Sequence, residues 1–338
     1  MKIAIDKNSL NVAKKNSNEY IYIFNDEPIN ELLNIGLRCI NYKKCGFVDV
    51  NLTDYDIDCI KKATINDPNY DKIEKKDYKI GIIIPNYNYE HTIEKCLNSI
   101  LEQTYKNYEI IFIDDMSTDS SVEIAKRLLK PPHKVIELKQ KRLNGGARND
   151  GYLHLSNDTD YVYYVDSDDW LLDKYALEKI NYKLQSQPDV LFVGMSAYKN
   201  GNLRTCFIPH YKDKYEAIKG WSGSCGKVIK KSLATRQECL YNEGTLKEDR
   251  NQHCKVCIYM NSFKLLQEPV YVWNQSNHKS VTTIRDKEIW GTSTIRHYAD
   301  TLQLYLTEKG KDPIIDRYLK ERVDKTKLEM EQGGDKQW

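Results

Sequence analysis

The chain has 338 residues, which at about 100–200 residues per domain implies two domains, or one large domain with appendages. Hydrophobic residues make up 40% and charged residues 30%, far from the composition of a disordered chain. With 51 basic and 49 acidic residues the net charge is +2, so no global field draws the chain to nucleic acid or to an anionic membrane.

The opening Met1–Val12 lacks a signal-type apolar core, and no stretch approaches the ~18 apolar residues of a membrane span, so a cytoplasmic protein is expected. Nine scattered cysteines in a chain of this size read as reduced thiols. Cys254 and Cys257, after His253, have ligand-like spacing but no second close pair, and read as buried helix cysteines.

Residues 1–76 have the pattern of a small α/β unit. Strands are expected at Tyr20–Phe24 and Phe47–Leu52, each followed by a helix-like segment, and a charged linker at 73–77 closes the unit. From Lys79 the rhythm changes to strand alternating with helix. Apolar runs at Lys79–Ile84, Tyr108–Ile113, Lys134–Leu138 and Tyr161–Val165 fit strands covered on both faces, as in parallel sheets. Between them lie helical patterns at Thr92–Gln103, around Val122–Leu129 and at Ala147–Leu155. From Pro188 the pattern loosens. It gives a strand at Val190–Val193, a Tyr- and Lys-rich stretch at 197–220 and a Gly/Ser loop around Trp221–Lys227. A helix at Glu248–Met260 and a strand at Val270–Trp273 follow, then a charged helical tail from about residue 286. The expected organisation is therefore 1–76, a domain at 77–285 with halves 77–187 and 188–285, and a tail at 286–338. The fold class is α/β: a doubly wound, mostly parallel sheet with helices on both faces.

In such sheets ligands bind beyond the carboxyl ends of the strands. Asn86, Tyr87 and Asn88 follow the first strand, Asp114 and Asp115 the second, and Asp166, Asp168 and Asp169 the fourth. Loop carboxylates also cap helices, the natural reading of Asp119 or Ser120. Three polar strand ends on one edge point instead to a binding crevice. Asp166-Ser167-Asp168 is an economical way to hold a divalent ion that also grips phosphates, because Mg²⁺ or Mn²⁺ takes one or two carboxylates and fills its octahedron with phosphate and water. Asn144-Gly145-Gly146-Ala147-Arg148 lacks both G-x-G-x-x-G and a G-K-[ST] ending, so it reads as a turn before a helix. Arg148 near that helix start could meet a diphosphate or lie at a solvated sheet edge.

Together, Ile82–Asn88, Asp114–Asp119, Ala147–Asn149 and Asp166–Asp169 resemble the nucleotide-sugar half of family 2 inverting glycosyltransferases with the GT-A fold. The resemblance spans roughly residues 79–175. Glu248-Asp249 is similar to the family's E-D pair, and Trp273 with Ser280-Val281 to its closing loop. The resemblance implies that Pro85, Tyr87 and Asp115 line a uracil pocket, that Arg148 faces the diphosphate, and that Asp166 lies by the ribose and the ion. Asp168 would be the direct ligand of Mn²⁺ or Mg²⁺, and Asp249 the catalytic base. Met116 replaces a common glycine, which requires a negative φ there.

The implied reaction is metal-dependent inverting transfer of a sugar, from a nucleotide sugar of UDP type, to a hydroxyl on a glycan, glycolipid or polymer. Other readings keep the donor chemistry with a modified DNA base or protein side chain as acceptor, or make the chain a non-catalytic nucleotide-sugar-binding module. Glu248 would orient the acceptor or cap its helix, His278 would reach the ion or phosphates on loop closure, and Trp221 would stack on a sugar or belong to the core.

Overall fold

The computed structural model describes residues 2–4, 20–24, 38–41, 46–47, 76–276 and 287–331. The chain divides into two compact units, Met1–Lys76 and Asp77–Trp338. In the first, β1 (Lys2–Ala4), β2 (Tyr20–Phe24), β3 (Arg38–Asn41) and β4 (Gly46–Phe47) form one sheet in that order, parallel until the antiparallel β3–β4 pair. The strand expected at 20–24 is present. Of the one expected at 47–52, only Phe47 is among the described residues.

The second unit is a nine-stranded mixed sheet. Its first half contains β5 (Ile80–Asn86), α1 (Ile93–Leu101), β6 (Tyr108–Asp114), α2 (Ser121–Leu128), β7 (Lys134–Glu137), α3 (Leu143–Leu153), β8 (Tyr161–Tyr164), the short β9 (Trp170–Leu171) and α4 (Ala176–Leu184). The rest contains β10 (Val190–Lys199), β11 (Asn202–Phe207), α5 (Lys214–Lys219), β12 (Lys227–Lys230), α6 (Lys231–Ala234), α7 (Glu248–Tyr259), β13 (Phe263–Asn274), α8 (Lys287–Glu308) and α9 (Pro313–Glu331). Strands run in the order β7-β6-β5-β8-β12-β10-β13-β9, with β11 beside β10.

Strands β5, β6, β7 and β8 are mutually parallel, and β12 is antiparallel to both neighbours. Every residue of β5 and β6 is buried, which is why these runs show no polar alternation. Ile80, Ile82 and Ile84 join one apolar cluster with Ile93, Leu97 and Ile100 of α1. Ile83 faces the other, with Ala147 and Tyr152 of α3. Strands β10 and β13 extend well past the apolar runs that announced them, because they pair in parallel along most of their length. That pairing supplies hydrogen bonds to residues with no strand signature of their own.

The helix expected from Ala147 begins instead at Leu143, so Gly145 and Gly146 lie in its first turn, not in a turn before it. A Cβ on Gly145 would stand 2.6 Å from the Asn242 carbonyl oxygen, and only glycine lets that chain approach so closely. Met116 has φ 66°, against the expectation of a negative value, and carries a long side chain in the left-handed region.

The tail packs on α7. Thr301 donates to Asn251 at 3.1 Å, Tyr259 to Glu308 at 2.7 Å, and Tyr318 of α9 to the Ile218 carbonyl at 3.1 Å. Among the described residues no helix is long and apolar enough to cross a membrane.

Candidate functional site

The polar ends of β5, β6 and β8 lie on one edge, held by the chain's own polar groups. Asp114 organises the first turn: its carboxylate accepts from Asn86 Nδ2 at 2.9 Å, Ser117 Oγ at 2.6 Å and Ser117 N at 2.8 Å. Asp115 is 3% exposed, and its two oxygens accept the backbone N–H groups of Arg142 at 2.7 Å and Leu143 at 2.9 Å. Those N–H groups are among the donors a helix leaves unpaired at its start. Asp115 thereby fixes where α3 begins, which explains the early start of that helix.

Lys141 ties this carboxylate to Tyr87. Its ammonium donates to the Asp115 carbonyl at 2.9 Å and sits 2.6 Å from the Tyr87 ring centroid. Tyr87 is 45% exposed. Pro85 is buried, and its carbonyl accepts from Ser167 Oγ at 2.8 Å.

The end of β8 is clamped to β13. Tyr271 Oη donates to Asp169 Oδ2 at 2.6 Å and accepts from Asp166 N at 3.1 Å. Asn274 donates its N–H to Asp169 Oδ1 and its side-chain amide to the Asp168 carbonyl. Burial, and then the charges of Asp168 and Asp166, push the Asp169 carboxyl well above its usual range. Asp169 is thus engaged by the scaffold. Asp166 keeps about a third of its side-chain surface exposed.

Arg148 is the hub. It is 1% exposed, so it is neither a solvated residue nor one presented openly to a diphosphate. Its Nη2 meets Asp166 Oδ1 at 2.7 Å, and its Nη1 meets Glu248 Oε1 at 2.8 Å and Asp249 Oδ1 at 3.3 Å. Burial opposes its charge, but the surrounding carboxylates outweigh burial and hold the guanidinium protonated.

Glu248 is buried in the first turn of α7. It is the inner partner of Arg148. Burial and the neighbouring Asp249 push its carboxyl up to about 7 against the pull of Arg148.

Asp249 is 39% exposed at the side chain, and its Oδ1 also accepts from Ser224 Oγ at 2.5 Å. A carboxylate cannot donate, so Ser224 gives its one proton to Asp249, and Tyr241 Oη, 2.6 Å away, must donate to Ser224. Asp249 Oδ2 makes no hydrogen bond to the described residues and is open to a ligand.

Trp221 packs edge-on against Trp273 (ring centroids 5.8 Å apart) and beside Phe207 (5.6 Å), half-buried against the core. His278 lies outside the described residues. His253 and Cys257 are buried in α7, where His253 Nε2 contacts the Ala217 carbonyl. Among the described residues no three His, Cys, Asp or Glu side chains gather closely enough to hold a metal ion.

Sequence patterns did not single out Ser224, Lys227, Tyr241, Tyr271 or Asn274. Their side chains act through contacts between distant segments. The only signal was the Gly/Ser loop at 221–227, which marked a turn without saying what it delivers.

Strand order and an acid-lined edge at the strand carboxyl ends define a GT-A-type α/β domain. Residues 81–240 match the family model described as "Glycosyl transferase family 2", and this part of the chain is a family 2 glycosyltransferase domain.

Among curated relatives, glycosyltransferase GlyA of Streptococcus pneumoniae is 40% identical over 115 residues, 34% of this chain and 16% of that protein. A poly(ribitol-phosphate) beta-glucosyltransferase of Bacillus spizizenii is 37% identical over 117 residues, 33% of this chain and 18% of that protein. The chain therefore spans less than a fifth of these relatives. Among solved structures, Staphylococcus aureus TarS (residues 1–349) in complex with UDP-GlcNAc superposes with a TM-score of 0.53 at 21% identity. The match covers 64% of this chain and 66% of that one, and shows a shared fold.

Proposed function

We propose that the chain is an inverting glycosyltransferase that moves a sugar from a nucleotide-sugar donor, of UDP type, to a hydroxyl on a polymer, glycan or glycolipid. One observation carries this reading. Arg148 joins two carboxylates with separate tasks: Asp166, at the strand ends where ligands of such sheets bind, and Asp249, whose second oxygen is open.

The donor end would rest on the Tyr87–Asp115 edge, with Asp166 and Asp168 toward the phosphates. A Mn²⁺ or Mg²⁺ suits this donor set. Asp166 and Asp168 supply two carboxylates, and such ions take one or two and complete their shell with phosphate and water. Held by Asp168 and Asp166, the ion would neutralise charge on the departing diphosphate. Arg148 adds a fixed positive charge to the same end.

An acceptor hydroxyl is a poor nucleophile at neutral pH. Asp249 Oδ2 would take its proton as the new bond forms, while Ser224 and Arg148 hold the other oxygen still. A base on one side and the leaving group on the other give inversion at the anomeric carbon. The two relatives and the solved neighbour support this reading. One of them acts, by its name, on poly(ribitol-phosphate), and the neighbour is a complex with UDP-GlcNAc.

The test is a screen of nucleotide sugars with Mn²⁺ for hydrolysis and for transfer to candidate acceptors. Asp249→Asn is expected to lower transfer at least about 100-fold while donor affinity holds within about twofold. Asp168→Ala is expected to weaken donor binding itself. Wild-type transfer by Asp249→Asn would remove Asp249 as the base.

A further inference from the structure

We propose that Lys227 is a positioning residue for transfer: its ammonium fixes the loop that sets Ser224 against Asp249. The inference rests on the assignment of Asp249 as the base. Lys227 stands at the start of β12 with no exposed surface, and its Nζ donates to two consecutive carbonyls, those of Ser222 and Gly223, each at 2.9 Å. No carboxylate among the described residues forms an ion pair with it.

Burying an ammonium on backbone oxygens alone costs several kcal/mol, and an apolar side chain of similar length would fill the space more stably. Burial lowers its pKa to about 8, which reflects that cost. The charged and titratable groups facing it are Asp249, Arg250, His253 and Cys257 of α7, and Cys225 beside it.

What the ammonium secures is the middle of a loop whose entry is held separately, by Trp221 N donating to Tyr211 Oη at 3.0 Å. The Gly223 carbonyl is shared between Lys227 Nζ and Gly226 N, which closes a single 3₁₀ turn over Ser224–Gly226. On the other side, Trp221 wedges between Phe207 and Trp273, and a Cβ at Gly223 would stand 2.5 Å from Trp221 Nε1. Ser224 is the first residue of that turn, directly after the two anchored carbonyls. Its hydroxyl is the middle member of the Tyr241→Ser224→Asp249 chain and selects which oxygen of Asp249 is held. Release of the two carbonyls would let Ser224 drift, and Asp249 Oδ1 would lose one of the two contacts that orient it, keeping only Arg148 at 3.3 Å. Displacements of about 1 Å in such groups cost up to about 100-fold in rate.

The experiment is a double-mutant cycle on transfer, with Lys227→Met, Ser224→Ala and the pair, each first checked for cooperative unfolding. Lys227→Met is expected to lower kcat about tenfold with donor KM within about twofold. The double variant is expected to be no slower than the slower single, because both substitutions break one chain of contacts. A kcat at the wild-type level in Lys227→Met, or losses that multiply in the double variant, would overturn the proposal. Should Lys227→Met fail to fold, Lys227→Arg enters the same cycle, because its larger head also displaces the two carbonyls, and the same two results decide. Asp249→Asn is run alongside. If it is inactive while Lys227→Met is unaffected, only this proposal falls; if it transfers normally, the base assignment falls and takes this proposal with it.

Discussion

The two sides of Arg148 are built differently. On the strand-end side, acids follow directly from buried parallel strands, and the backbone delivers them: Asp114 ends β6 and Asp115 follows it, and Asp166–Asp169 follow β8. On the α7 side, Ser224, Tyr241, Glu248 and Asp249 come from a 3₁₀ turn, a loop and a helix start, and only side-chain contacts register them. One side inherits its precision from a sheet, and the other assembles it from single hydrogen bonds. Substitutions on the second side should therefore disturb geometry before they disturb folding, and those at the joint should do both.

The largest effect is expected at the joint. Arg148→Met leaves Asp166, Glu248 and Asp249 without their common cation, and loss of one partner from a buried charge network typically costs about 3–5 kcal/mol. Denaturant unfolding should show a loss of that order, together with loss of transfer. A stable Arg148→Met would mean that the two sides are independent.

The next effect isolates Glu248. Its carboxyl is raised from 4.5 to about 7 in the folded chain, so between those pH values the native state keeps a proton that the unfolded state has released. Wild-type stability should accordingly fall as pH rises from 4.5 to 7, by at most about 3 kcal/mol from this group. Glu248→Gln keeps an acceptor for Arg148 and should flatten that slope, as read from unfolding midpoints across the range. An unchanged slope would place the titration elsewhere.

The smallest effect lies on the strand-end side. Met116→Gly should raise stability by about 0.5–1 kcal/mol, because glycine takes φ 66° without the strain a methionine bears. A loss of stability would show that the exposed Met116 side chain contributes packing of its own.

This asymmetry also decides what could be read in advance. The apolar runs of β5, β6 and β8 and the spacing of Ile93, Cys96, Leu97 and Ile100 are local signals, and the structure follows them closely. Asp166 and Asp168 stood out because an acid-x-acid run at a strand end is chemically conspicuous, and Asp249 only through the resemblance of Glu248-Asp249 to the family's pair. Arg148 was visible as a residue but not in its role, because only the three-dimensional approach of α3 to α7 turns an arginine near a glycine pair into the partner of three carboxylates. The early start of α3 was hidden for a similar reason: the acid that caps it, Asp115, lies 27 residues before Arg142 in the chain. Lys227 and Ser224 were marked only as members of the Gly/Ser loop at 221–227. A buried lysine in a strand start looks like any surface lysine until the loop folds over it.

The helical hairpin at the C-terminal end has a practical corollary for protein engineering. Asp249 sits in the first turn of α7, and α7 is braced along its length by Thr301, Glu308 and Tyr318. Anyone who exchanges segments between homologous chains should therefore treat everything from β10 through Glu331 as one indivisible cassette. A crossover placed between β13 and the hairpin would separate Asp249 from its own buttress.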